Sequence, residues 1–250
     1  MNFKRLALST VFSFAALTAA HAAEVTVGAA ASLTNAFKAV AEQYESENPD
    51  VKVNLTFGAS DVVLQQILNG APIDIFASAD QKSMDKAAEG KAIDPATRTD
   101  FVRNEVVLIT PKDASVEIKS LADLKNEKVT RITIGNPETV PVGRYTKASL
   151  EKSGDWAAVE SKLLMAQNVR QALDYVVRGE VDAGFVFGTD AAVAADKVNK
   201  VLSVETPEPV LYPISLTTRD KRSEKAQEFK DYVLSGKGQE ILARFGFQKP

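Results

Sequence analysis

The chain has no cysteine and only one histidine among its 250 residues. The absence of cysteine excludes disulfide scaffolds, thiolate zinc sites, iron–sulfur clusters and thiol nucleophiles. Positive charge is not in excess either: 30 Lys and Arg stand against 33 Asp and Glu, for a formal charge of -3. Binding a phosphate backbone needs clustered cations, so nucleic acid is not an expected partner. Beyond the first 22 residues, no stretch approaches the ~18 continuous apolar residues of a membrane span. What is present, 45% apolar and 25% charged residues, suits a soluble globular protein with a sizeable core.

The one histidine lies in a segment that reads as a removable address. Lys4 and Arg5 form a positive n-region, and Leu6 to Leu17 is apolar except for Ser9, Thr10 and Ser13. Ala20-His21-Ala22 then supplies the small residues that a signal peptidase requires, which places cleavage after Ala22. The other reading, an uncleaved anchor, conflicts with an apolar stretch short for a bilayer. Cleavage takes His21 and two cations with it, so the mature chain is more acidic and has no histidine. With no cysteine after the cut, no lipid holds the protein to a membrane. The periplasm is the expected compartment, with free secretion as the alternative.

The remaining sequence alternates strand and helix patterns. Val25–Ala29 and Val51–Phe57 read as strands, and Leu33, Phe37, Val40, Ala41 and Tyr44 between them share one helical face. Similar units follow at Ile73–Ala77 with a helix capped by Asp80, at Arg131–Gly135 with a helix opened by Pro141, and at Leu163–Ala166 with a helix capped by Asn168. Strands at Val181–Phe187 and Leu211–Leu216 precede a last helical region over Ser223–Arg244. Such alternation predicts an α/β fold, with mostly parallel sheets flanked by helices. Breaks near Asn104 and Pro207 suggest two lobes. One comprises 23–104 plus 209–250 and the other 105–208, with a hinge near 104–106 and 206–210; a single continuous domain is the alternative.

The informative chemistry sits at strand-to-helix turns. Val27-Gly28-Ala29-Ala30-Ala31-Ser32 and Phe57-Gly58-Ala59-Ser60 each run from a strand through small residues to a serine that opens a helix. Small side chains let a ligand approach the backbone, and the first helical turn offers free N–H groups and partial positive charge. Two such turns facing one cleft make an anion site without lysine or arginine. Alternatively, Ser32 and Ser60 are ordinary N-caps whose hydroxyls serve their own helices. Asn168 marks a third turn of similar placement. Asp61 reads either as an outward acidic residue complementing its helix dipole or as an acceptor for a protonated ligand.

Several stretches together resemble the periplasmic molybdate-binding proteins of ABC transporters. They are Ala29-Ala30-Ala31-Ser32-Leu33-Thr34-Asn35, Ile73-Asp74-Ile75-Phe76-Ala77-Ser78-Ala79-Asp80, Gly135-Asn136-Pro137-Glu138-Thr139-Val140-Pro141-Val142-Gly143-Arg144-Tyr145, Asn168-Val169-Arg170-Gln171 and Gly184-Phe185-Val186-Phe187-Gly188-Thr189-Asp190. The resemblance implies a two-lobed type II periplasmic binding protein fold that closes on molybdate or tungstate and delivers it, as a monomer, to an inner-membrane ABC permease. No cofactor is implied. Ser32 and Ser60 would each donate a hydroxyl and a backbone N–H, and Val142 and Val169 would add backbone N–H groups from the other lobe. The fifth family position, usually a tyrosine, is Phe187 here, which lines the site without a hydroxyl.

Two other readings stay open on the sequence. The chain is an oxyanion carrier tuned to sulfate or phosphate, or a serine hydrolase using Ser32 or Ser60 with Lys38 or Asp74 as base. The turns lack the Gly-x-Ser-x-Gly elbow, which counts against catalysis. Asp182, Asp190 and the other carboxylates show no metal-ligand spacing. Trp156 reads as a packing residue.

Overall fold

The computed structural model describes residues 22–250, so the signal segment predicted over residues 1–22 lies almost wholly outside the described residues. The chain opens with β1 (Ala23–Ala30), α1 (Thr34–Glu47), β2 (Val51–Gly58), α2 (Ser60–Leu68), β3 (Ile75–Ala77), α3 (Gln81–Glu89) and β4 (Thr99–Asn104). A second run follows: β5 (Val106–Pro111), β6 (Ile132–Gly135), α4 (Pro141–Lys152), α5 (Trp156–Val159), β7 (Leu163–Ala166), α6 (Val169–Val177), β8 (Ala183–Phe187), α7 (Gly188–Val193) and β9 (Val198–Val204). The last elements are β10 (Val210–Leu216), α8 (Ala226–Leu234) and α9 (Gly236–Arg244).

These strands build two five-stranded sheets, ordered β2-β1-β3-β10-β4 and β7-β6-β8-β5-β9. In the first, β1 runs parallel to β2 and β3, while β10 is antiparallel to β3 and β4. The second repeats the arrangement, with β6 parallel to β7 and β8, and β5 antiparallel to β8 and β9. The chain crosses between sheets twice: at Glu105, the single residue between β4 and β5, and over 205–209, between β9 and β10. Each sheet is therefore mixed, with two parallel and two antiparallel pairings, and carries helices on its faces, in keeping with the α/β fold that the alternating pattern predicts.

Two elements differ from the sequence reading. β4 escapes a search for alternation because Phe101 and Val102, adjacent in sequence, are both buried. It is an edge strand whose ladder with β10 is interrupted by a bulge at Tyr212/Pro213. The single helical region expected over Ser223–Arg244 is two helices. Ser235 turns extended (ψ 165°) and caps α9 by accepting the Gly238 N–H. Gly238 is needed there because a Cβ would lie 2.2 Å from the Tyr232 carbonyl oxygen.

Candidate ligand-binding site

The carboxyl ends of the parallel strands point their following helices at a common place. Turns after β1, β2, β3, β6, β7 and β8 surround a small cavity. Its lining includes Ser32, Ser60, Val142, Val169 and Phe187, so all five residues singled out from the sequence come together. Ala30, Ala31, Gly58, Ala59, Ala79, Val140 and Pro141 complete the wall, which contains no charged side chain.

Close backbone packing makes this convergence possible. A Cβ on Gly143 would fall 1.9 Å from the Gly135 carbonyl oxygen, so only glycine lets the first turn of α4 rest on the end of β6. Pro141 occupies the N1 position of α4 and has no N–H, which makes Val142 the first amide that the helix presents. Ser60 and Val169 are the first residues of α2 and α6, and Ser32 lies in the 3₁₀ turn Ala31–Leu33 leading into α1. First-turn amides have no intrahelical acceptor. Among the described residues, no acceptor takes the N–H of Ser32, Ser60, Val142 or Val169.

Neither serine caps its own helix by a side-chain hydrogen bond. Ser60 Oγ instead accepts the Ala79 N–H at 3.0 Å, which leaves its proton free to donate. Ser32 Oγ is 3.0 Å from the Tyr212 hydroxyl. Asn168 behaves as a plain cap, accepting the Gln171 N–H at 3.0 Å. The Phe187 ring is 1% exposed and makes edge contacts with Tyr145 and Tyr212, with centroids 6.5 and 5.7 Å apart. The cavity therefore offers backbone amides, two hydroxyls and apolar walls without a charged side chain, a set suited to a compact anion.

Asp61 follows neither sequence reading, being buried yet turned away from the cavity. Its carboxylate takes hydrogen bonds from Ser83 Oγ at 2.7 Å, Lys86 Nζ at 2.7 Å and Arg144 Nη1 at 3.2 Å. Arg144, from α4, also binds Asp80 through Nε at 2.7 Å and Ser83 Oγ through Nη2 at 2.8 Å. One guanidinium thus bridges the helices of the two sheets. A second bridge joins Arg170 Nη1 to Asn35 Oδ1 at 2.8 Å. The same arginine reaches Asp190 at 2.5 Å, though the angle leaves both Asp190 oxygens without a well-aligned donor. Burial pushes the Asp190 carboxyl up to about 6, against the lowering effect of Arg170.

The residues considered for other chemistry are engaged elsewhere. Asp74 accepts the Thr26 and Ser223 amides and pairs with Arg219 at 3.1 Å, and Lys38 is exposed. No group of three or more His, Cys, Asp or Glu side chains positioned to hold a metal occurs among the described residues. Trp156 is partly buried against the core, with Lys147 Nζ 5.2 Å from its ring centroid. Sequence reasoning missed Tyr212, Asn104 and the role of Arg144. A tyrosine within a buried strand is itself a signal, because its hydroxyl needs a partner.

Comparison with known proteins agrees with this geometry. The chain is 38% identical over 242 residues to the molybdate-binding protein ModA of Escherichia coli (strain K12), covering 94% of this chain and 93% of that one. Identity to the molybdate-binding protein ModA of Haemophilus influenzae is 34% over 240 residues, with 94% and 92% covered. The periplasmic molybdate-binding protein of Azotobacter vinelandii superposes with a TM-score of 0.77 at 25% identity, covering 90% of this chain and 99% of that one. The sequence matches the family described as bacterial extracellular solute-binding protein over residues 25–248, and with these relatives and this two-lobed fold the chain belongs to that family.

Proposed function

We propose that this chain captures molybdate, and tungstate by the same chemistry, in the periplasm and hands it to an inner-membrane ABC permease. The observation that carries this reading is the convergence of Ser32, Ser60, Val142, Val169 and Phe187 on one small cavity that no charged side chain lines. A tetrahedral dianion has only acceptor oxygens, so amides and hydroxyls match it without a charged pocket. Relatives named for molybdate binding, 34–38% identical over nearly the whole chain, support that choice of anion. In this reading the serines give hydroxyl and amide donors, Val142 and Val169 give amides, and Phe187 closes the apolar wall.

The lobes are residues 23–104 with 209–250, and residues 105–208, opening about 104–106 and 206–210. The exported chain is cleaved after Ala22 and works as a monomer, as a carrier with no catalytic step. The test is thermal denaturation of the mature chain with molybdate, tungstate, sulfate or phosphate. Micromolar molybdate and tungstate raise the melting temperature, through ligand linkage to the folded state. No stabilisation by molybdate overturns the assignment. Equal stabilisation by sulfate turns it into a broader oxyanion carrier.

A further inference from the structure

Each cavity serine has a donor at its back. For Ser60 it is the Ala79 amide, and for Ser32 it is a buried tyrosine 180 residues away. The 3.0 Å contact between Ser32 Oγ and Tyr212 Oη does not by itself say which oxygen donates. Asn104, the last residue of β4, sets the direction. Its Oδ1 accepts the Glu105 N–H at 2.9 Å. That turns Nδ2 toward Thr189 Oγ1 at 2.8 Å and Tyr212 Oη at 3.2 Å. An amide NH2 only donates, so Tyr212 Oη accepts from Asn104; Ser32 Oγ is the one other partner that the described residues give the buried phenol, and the phenol proton therefore goes to Ser32 Oγ. Ser32 then keeps one proton, for which the described residues provide no acceptor, facing the cavity. Tyr212 is fully buried, and burial together with the nearby Asp190 holds its phenol well above the usual range, so the relay keeps its proton.

We infer that Tyr212, oriented by Asn104, is a positioning residue that fixes Ser32 as a hydrogen-bond donor and thereby sets the cavity against protonated oxyanions. The inference rests on the oxyanion-binding reading above. A fully ionised dianion accepts from every side. Hydrogen phosphate brings a proton that needs an acceptor, and a ligand donating to Ser32 strands the serine's own proton. Asp61, the carboxylate that sequence offered as such an acceptor, is occupied by Ser83, Lys86 and Arg144. Asn104 also holds Thr189 of α7, so the relay starts at the first crossing between sheets and ends in the cavity.

The experiment is a double-mutant cycle read by calorimetric titration of the mature chain with molybdate, with hydrogen phosphate as competitor. Tyr212→Phe weakens molybdate about tenfold, the scale of one charge-assisted hydrogen bond, while phosphate competition becomes stronger. In a Ser32→Ala background the same substitution changes molybdate affinity less than about twofold, because the group it acts through is gone. Asn104→Ala, which leaves the buried ring in place, moves both affinities in the same directions and stands in if Tyr212→Phe folds poorly. An effect of Tyr212→Phe that persists without Ser32, or an equal loss for both anions, overturns the inference while leaving the carrier reading intact. A wild-type chain that binds neither anion overturns both.

Discussion

Asp190 is fully buried one helical turn beyond Phe187, paired with Arg170 in a geometry that leaves its oxygens poorly served. Its carboxyl titrates at about 6 in the folded protein, raised by burial above the ordinary 3.8. The folded state therefore holds this proton more tightly than the unfolded chain does. The resulting stabilisation is complete below about pH 4 and is lost as pH rises through 6, on the order of 3 kcal/mol in all. Asp190→Asn removes the titration. Chemical denaturation of both proteins across this window should show the wild type losing stability relative to the variant as pH rises. A difference that stays flat from pH 4 to 7 contradicts a raised Asp190.

The elements that form the site were legible where chemistry and sequence are local. Ser32 and Ser60 each stand directly after a strand and a run of small residues, so the strand–turn–helix unit that presents them is contiguous. Val142 and Val169 have no chemical signature of their own. They became visible through Pro141 and Asn168, which mark helix starts, and through family resemblance. Tyr212 and Arg144 were not legible, because their partners lie 180 residues and 61 to 83 residues away and only the fold brings them together. Asp61 was misjudged for the same reason, since its three partners sit on α3 and α4. Gly143 belongs at this scale too. Alanine there places Cβ against the Gly135 carbonyl and forces α4 away from β6. Gly143→Ala should cost about 1–3 kcal/mol of stability, as overpacking does, and weaken anion binding by shifting the Val142 amide. Gly236→Ala, at a helix start with nothing within 4 Å, is the control expected to leave both unchanged. Equal behaviour of the two variants in thermal melts and titrations would remove close packing as the cause.

For the whole molecule, Arg144 is the main polar tie between the two lobes. It reaches from α4 into a pocket formed by Asp61, Asp80 and Ser83, with its side chain 12% exposed and the two carboxylates 8% and 6%. Forming such a pair dehydrates three charges, so the net attraction is smaller than the contact distances suggest. Removing only the cation has a larger effect. Asp61 then keeps Lys86 as its one cation, Asp80 keeps none, and separating the lobes returns water to both carboxylates. The closed form loses population, and apparent affinity falls in proportion to the binding-competent fraction. Arg144→Gln keeps hydrogen-bonding capacity but no charge. It should weaken molybdate at least about tenfold and give a larger radius of gyration for the unliganded chain by small-angle scattering. Saturating ligand should return the variant to the compact shape of the liganded wild type. Adding Asp80→Asn removes the repulsion left behind and should restore part of the lost affinity. If Arg144→Gln binds like wild type and scatters like it when empty, the Arg144 contacts do not hold the lobes together, and the ligand, the Arg170–Asn35 contact and the Asn104–Thr189 contact do.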